Sequence, residues 1–91
     1  MENTSTLSED TIIAITDIPG EGTYLAYKGV ALEYHQEESG YVVARAPRTP
    51  EVMSLLSEFH ANPQVKLLDF LTVQRRERGK MLDLRNGRRF S

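Results

Sequence analysis

Two dipeptides, Thr49-Pro50 and Asn62-Pro63, constrain this chain more than any other feature. Proline lacks an N–H and has a fixed φ, so it fits the first turn of a helix, directly after a residue whose side chain can cap the free amides. Thr49 and Asn62 are such residues. The spacing predicts two consecutive helices, 50–60 and 63–79, meeting at a tight corner because the residue before Pro63 avoids the α region. In the first, Val52, Leu55, Leu56 and Phe59 fall on a single apolar stripe. In the second, Val65, Leu67, Leu68, Phe70, Leu71 and Val73 cover a wide arc, which implies burial on more than one side. After Val73 the chain turns to Gln74-Arg75-Arg76-Glu77-Arg78, so the last turns are expected to project past the core into water and stop near Gly79.

The first half is richer in β-formers. Thr11 to Thr16 is short and β-branched, which favours a strand. Asp17-Ile18-Pro19-Gly20-Glu21-Gly22 is a break, either a turn or a helix entry, and Thr23 to Gly29 fits a strand or a short helix stopped by glycine equally well. Val30 to His35 and Tyr41 to Arg45 read as a hairpin, joined by the polar link Gln36 to Gly40. The expected fold is α+β: a small antiparallel sheet, the hairpin 30–35/41–45 with or without a strand at 11–16, packed against the two helices. A flexible polar segment, 1–10, precedes this single domain of 11–80. Residues 81–91 read either as a terminal hairpin turning at Asn86-Gly87 or as a basic tail.

With 91 residues the chain makes one small domain with a limited core. It has no cysteine, which excludes disulfides, thiolate metal sites and cysteine nucleophiles. No apolar run approaches the roughly 20 residues of a membrane helix. Met1 to Thr6 has neither the basic nor the apolar part of a signal peptide, so a cytoplasmic protein without membrane attachment is expected. The net charge of −2 conceals an asymmetry: residues 1–40 carry eight acids against Lys28 alone, a net of −7, while 41–91 carry ten bases against five acids, a net of +5. Such a charge separation bears on partner steering or on attraction between the two halves, not on the fold itself.

Candidate chemistry is sparse. His35 with Glu33 and Glu37 has the alternation of one strand face and the donor types of a metal site, yet the same spacing describes a solvated face. His60 falls where a helix C-terminus favours a cation, as a cap or surface residue. Asp17, His35 and Ser39 match a hydrolase triad in composition only, without a nucleophile elbow. Gly20-Glu21-Gly22 lacks a third glycine and puts an acid where a phosphate would sit. No catalytic residue, cofactor or metal is expected. The functional signal is a basic cluster, Arg75, Arg76, Arg78, Lys80, Arg85, Arg88 and Arg89, opposed only by Glu77 and Asp83. Arginine forks suit phosphates and carboxylates alike, so the cluster fits a nucleic-acid backbone, an acidic protein surface, or simply a solvated helix end.

The series Thr16-Asp17, Tyr24-Leu25-Ala26, Gly29, a hairpin, Thr49-Pro50-Glu51, Leu55, Phe59, Asn62, Val65, Phe70 and Arg75 resembles a family of short bacterial, archaeal and phage domains of unknown function. The resemblance covers about 15–80 and rests mostly on structural positions; Pro19, Gly20 and Gly22 depart from it. It implies a short helix at 22–28 ahead of the hairpin and two closing helices, and a phage or mobile-element setting. It carries over no catalytic residue. Two readings of function follow. One is a small non-catalytic protein-interaction module that binds, and in one form inhibits, a host or phage protein. The other is a DNA- or RNA-binding protein using the arginine cluster, including a ribbon-helix-helix homodimer in which Tyr41 to Arg45 would enter the major groove.

Overall fold

The structure, a computed structural model, describes residues 11–85. Strands β1 (Ile12–Ile15), β2 (Glu33–Gln36) and β3 (Val42–Pro47) form a three-stranded antiparallel sheet in the order β1-β3-β2. The register pairs Ile13 with Ala46 and Ile15 with Ala44 on one side of β3, and Tyr34 with Ala44 and Gln36 with Val42 on the other. Directly opposed residues share a face, so Ile13, Ile15, Tyr34, Val42, Ala44 and Ala46 line the inner one. Glu33 and Ala14, both opposite Arg45, share the outer face with His35. The α+β architecture is the expected one, with the 11–16 strand present. The hairpin strands sit later than 30–35/41–45: Val30 and Leu32 pack against the core without joining the sheet. β3 is the central strand, paired with β1 along one edge and β2 along the other, where a ribbon-helix-helix strand would pair with a second copy.

Between β1 and β2 the chain is helical. A π-helical turn, Ile18–Gly22, runs into α1 (Thr23–Tyr27). Pro19, Gly20 and Gly22 all fall in this irregular entry. Asp17 caps the turn, accepting from the amides of Gly20 at 3.1 Å and Glu21 at 3.2 Å. A Cβ on Gly20 would lie 2.4 Å from Asp17 Oδ2, so a side chain there must expel the cap. Gly20→Ala is therefore expected to cost about 1 kcal/mol, the value of an N-cap, and almost nothing in an Asp17→Ala background. Urea unfolding of the two single variants and the double variant reads this coupling, and full additivity would refute it.

α2 (Pro50–His60) has the expected bounds, and Thr49 Oγ1 accepts from Val52 N at 3.1 Å. Its stripe buries Val52 and Leu56 with Ile15, Ile18 and Leu25 in one core.

The second long helix requires three corrections. α3 spans Leu67–Arg85, not 63–79. Asn62 does not cap it; its φ of 62° is left-handed, and with its N–H on Phe59 O at 3.1 Å it terminates α2 instead. Asn followed by Pro serves a helix end as well as a start, and here it ends one. The helix also passes through Gly79, whose missing side chain costs about 1 kcal/mol of helix propensity, because Met81 and Leu84 beyond it pack on the core. Residues 81–85 are thus part of α3 and not of a tail or hairpin. The 1–10 segment and the proposed Asn86-Gly87 turn lie outside the described residues.

Finally, the burial of α3 departs from the expectation at three positions, while Phe70, Leu71 and Val73 are half-buried and Arg75, Arg76 and Arg78 exposed. Leu67 and Leu68 are 64% and 74% exposed, while Glu77 is 2% exposed. Among the described residues no helix is long and apolar enough to cross a membrane.

Candidate functional site

α3 presents two different surfaces, and its inward one accounts for the buried glutamate. At 3.6 residues per turn, Phe70, Val73, Glu77, Met81 and Leu84 form one stripe, in which Glu77 occupies a core position. Tyr34, on the inner face of β2, donates its hydroxyl to Glu77 Oε1 at 2.5 Å. Glu77 Oε2 accepts from Arg76 Nε at 3.0 Å and Lys80 Nζ at 3.3 Å. Burial pushes this carboxyl's pKa up, but the bonds from Tyr34, Arg76 and Lys80 outweigh it and hold the group below its usual 4.5. Burial and the adjacent carboxylate in turn raise the Tyr34 phenol well above its usual 10. Glu77 therefore fastens α3 to the sheet as a fully partnered anion.

This network divides the basic cluster. Arg76 and Lys80 both bond the single Glu77 carboxylate, which offsets one of their two charges. Arg75, Arg78 and Arg85 are also on α3, and among the described residues Arg75 and Arg78 pair with no carboxylate. Arg88 and Arg89 lie outside the described residues. The signal that could have located Glu77 is the continuation of the apolar stripe past it, to Met81 and Leu84.

The outward surface of α3 was not foreseen. At 3.6 residues per turn, Leu68, Leu71, Arg75, Arg78 and Leu82 fall within an arc of roughly 100°, flanked by Leu67 at one end of the helix and Arg85 at the other; Leu68, Arg75 and Arg78 are exposed, and Leu71 and Leu82 half-buried. Every residue of the helix in that arc is leucine or arginine. Alongside it, α3 and the π-helical turn bound a cleft of about 280 Å³ walled by Ile18, Pro19, Thr23, Gln74, Arg78 and Met81. Gln74 Nε2 donates to Pro19 O at 2.8 Å and fixes one wall. A second cleft, of about 470 Å³, continues past Met81 to Arg85, Gln36 and Tyr41.

The histidines have ordinary roles. His60 Nε2 contacts Glu21 Oε2 at 2.5 Å, tying the end of α2 to the π-helical turn. His35 lies exposed on β2, opposite Val43. Among the described residues no group of three or more His, Asp or Glu side chains is placed to hold a metal ion. On the other side of the fold, Tyr24, Tyr27, Phe59 and Phe70 form a chain of ring contacts. Tyr24 is buried there and donates to Glu58 Oε1 at 2.8 Å. Burial first, and Glu58 second, push its phenol up to about 12. The Tyr27 hydroxyl accepts from Lys66 N at 3.0 Å and holds the loop from which α3 starts.

No family model, curated protein or solved structure matches this chain.

Proposed function

We propose that this chain is a small non-catalytic protein-interaction module whose contact surface is the outward face of α3. The observation that carries this reading is the 64% and 74% exposure of Leu67 and Leu68 in a chain whose core is otherwise small. Adjacent exposed leucines on one helix are what a protein partner covers. The arginine cluster favours a nucleic-acid backbone less once Glu77 is seen to offset one of the two charges of Arg76 and Lys80, since less net charge is then left to offer a phosphate. The leucines on either side of Arg75 and Arg78 would also be left against phosphate without an apolar counterpart. A phage or mobile-element setting, with inhibition of a host protein as one outcome of docking, belongs to this proposal through the family resemblance alone.

The test pairs two measurements. Tagged wild-type chain should capture one protein stoichiometrically from a cell lysate and retain it at about 200 mM salt, where phosphate contacts have weakened. Leu67→Ser/Leu68→Ser should lose that capture while unfolding at the same urea concentration. A mobility shift with mixed DNA and RNA that appears at about 50 mM salt, fades at about 200 mM and vanishes in Arg75→Ala/Arg76→Ala/Arg78→Ala would replace this reading with nucleic-acid binding.

A further inference from the structure

We infer that the partner segment bound on α3 is an acidic amphipathic helix, lying along Leu68, Leu71, Arg75, Arg78 and Leu82 with an apolar side chain in the cleft beside Pro19; this rests on the protein-interaction reading above. The inference comes from the order of residues on the face. Its leucines lie at both ends and its arginines in the middle, at the spacing of successive turns. A ligand that covers the whole face must alternate in the same way, apolar against the leucines and anionic against Arg75 and Arg78. A helix does this with residues at every third or fourth position. Arginine is suited to the carboxylates such a helix would supply, because its planar fork takes both oxygens.

Other occupants fit less well. A second copy of this chain, meeting α3 against α3 about a two-fold axis, repeats the same patch on both sides. The stripe is centred near Arg75, so either a parallel or an antiparallel pairing sets arginine against arginine. A membrane surface takes apolar residues inward and keeps cations at the flanks of the buried stripe. Here Arg75 and Arg78 interrupt the stripe at its centre. The concave walls contributed by Ile18, Pro19 and Met81 likewise suit an inserted side chain more than a flat bilayer.

The test is a phage-displayed library of helical peptides of about 18 residues, about five turns, panned against the full chain and against Arg75→Glu/Arg78→Glu. Both substitutions are exposed, and the variant's circular dichroism and urea midpoint verify its fold. The expected result is enrichment of peptides with a net negative charge and apolar residues at every third or fourth position. These should bind the variant at least about tenfold more weakly and shift the amide resonances of Leu68, Leu71 and Leu82. Peptides without net negative charge, or shifts confined to another surface, overturn the acidic-helix inference and leave the protein-interaction reading standing. Failure to recover any peptide overturns the inference as well. If phosphatidylglycerol vesicles or a DNA duplex then bind wild type and not the variant, the protein-interaction reading falls with it.

Discussion

Glu77→Ala is expected to lower the stability of the fold by about 3 kcal/mol, although it removes a charged residue from a strongly charged helix segment. The loss has two parts. The Tyr34 hydroxyl loses an ionised acceptor, worth about 1.5–3 kcal/mol, and the 2%-exposed side chain leaves a void under α3. Arg76 and Lys80 contribute little to the penalty, because their side chains are 56% and 54% exposed and return to water. Glu77→Met fills the void without restoring the bonds and should cost less than Glu77→Ala, as apolar replacements of buried ions usually do. The same site sets an acid-side dependence. A carboxyl whose folded pKa lies below its unfolded value stabilises the fold at pH above the unfolded value, here 4.5, and that stability is lost as pH falls through the folded pKa. Urea midpoints measured from pH 7 downward should fall below about pH 4.5 in wild type and fall less in Glu77→Gln. An Ala variant within about 0.5 kcal/mol of wild type, the range of ordinary surface changes, would show that the carboxylate does not hold α3 to the sheet.

Glu77 also marks where sequence reasoning loses its grip. α2 was legible because its start signal is unambiguous: Thr49 caps, Pro50 follows, and one stripe of four apolar residues faces the core. Asn62-Pro63 was not, because asparagine adopts the left-handed stop of one helix as readily as it caps the next. Nothing local decides between them, and in the fold α3 begins only at Leu67, with Lys66 O accepting from Phe70 N at 2.9 Å. That delay alters the rotation of every residue after it. Leu67 and Leu68 turn outward, while Glu77 turns toward Tyr34, a partner 43 positions earlier in the chain. Composition ranks leucines as core and Arg-Arg-Glu-Arg as surface, and it has no access to that long-range hydroxyl. The arginine cluster was therefore visible as a count of charges, but its division into a pair bonded to Glu77 and an outer set flanked by leucines was not.

Alanine at two leucines separates a core role from a contact role by the widest margin. Leu25 is 0% exposed, at the centre of the five-residue α1. A helix that short does not persist on its own; it is held by the burial of Leu25 in the core with Ile15, Val52 and Leu56, by Tyr24 against Phe59, and by Val30 N donating to Leu25 O at 2.9 Å. Leu25→Ala is expected to cost about 3 kcal/mol and to lower the melting temperature by on the order of 15 °C in a domain of this size. Leu68→Ala removes the same atoms from a side chain already in water, and should stay within about 0.5 kcal/mol of wild type while weakening partner capture. Calorimetry on the two variants reads the contrast directly. If Leu68→Ala destabilised the chain as much as Leu25→Ala, the first turn of α3 would be covered within the fold itself, and the leucine and arginine face would no longer be available to a partner. If instead only Leu25→Ala unfolds early, Leu68 has no part in holding the fold and its side chain stays available to the partner proposed above.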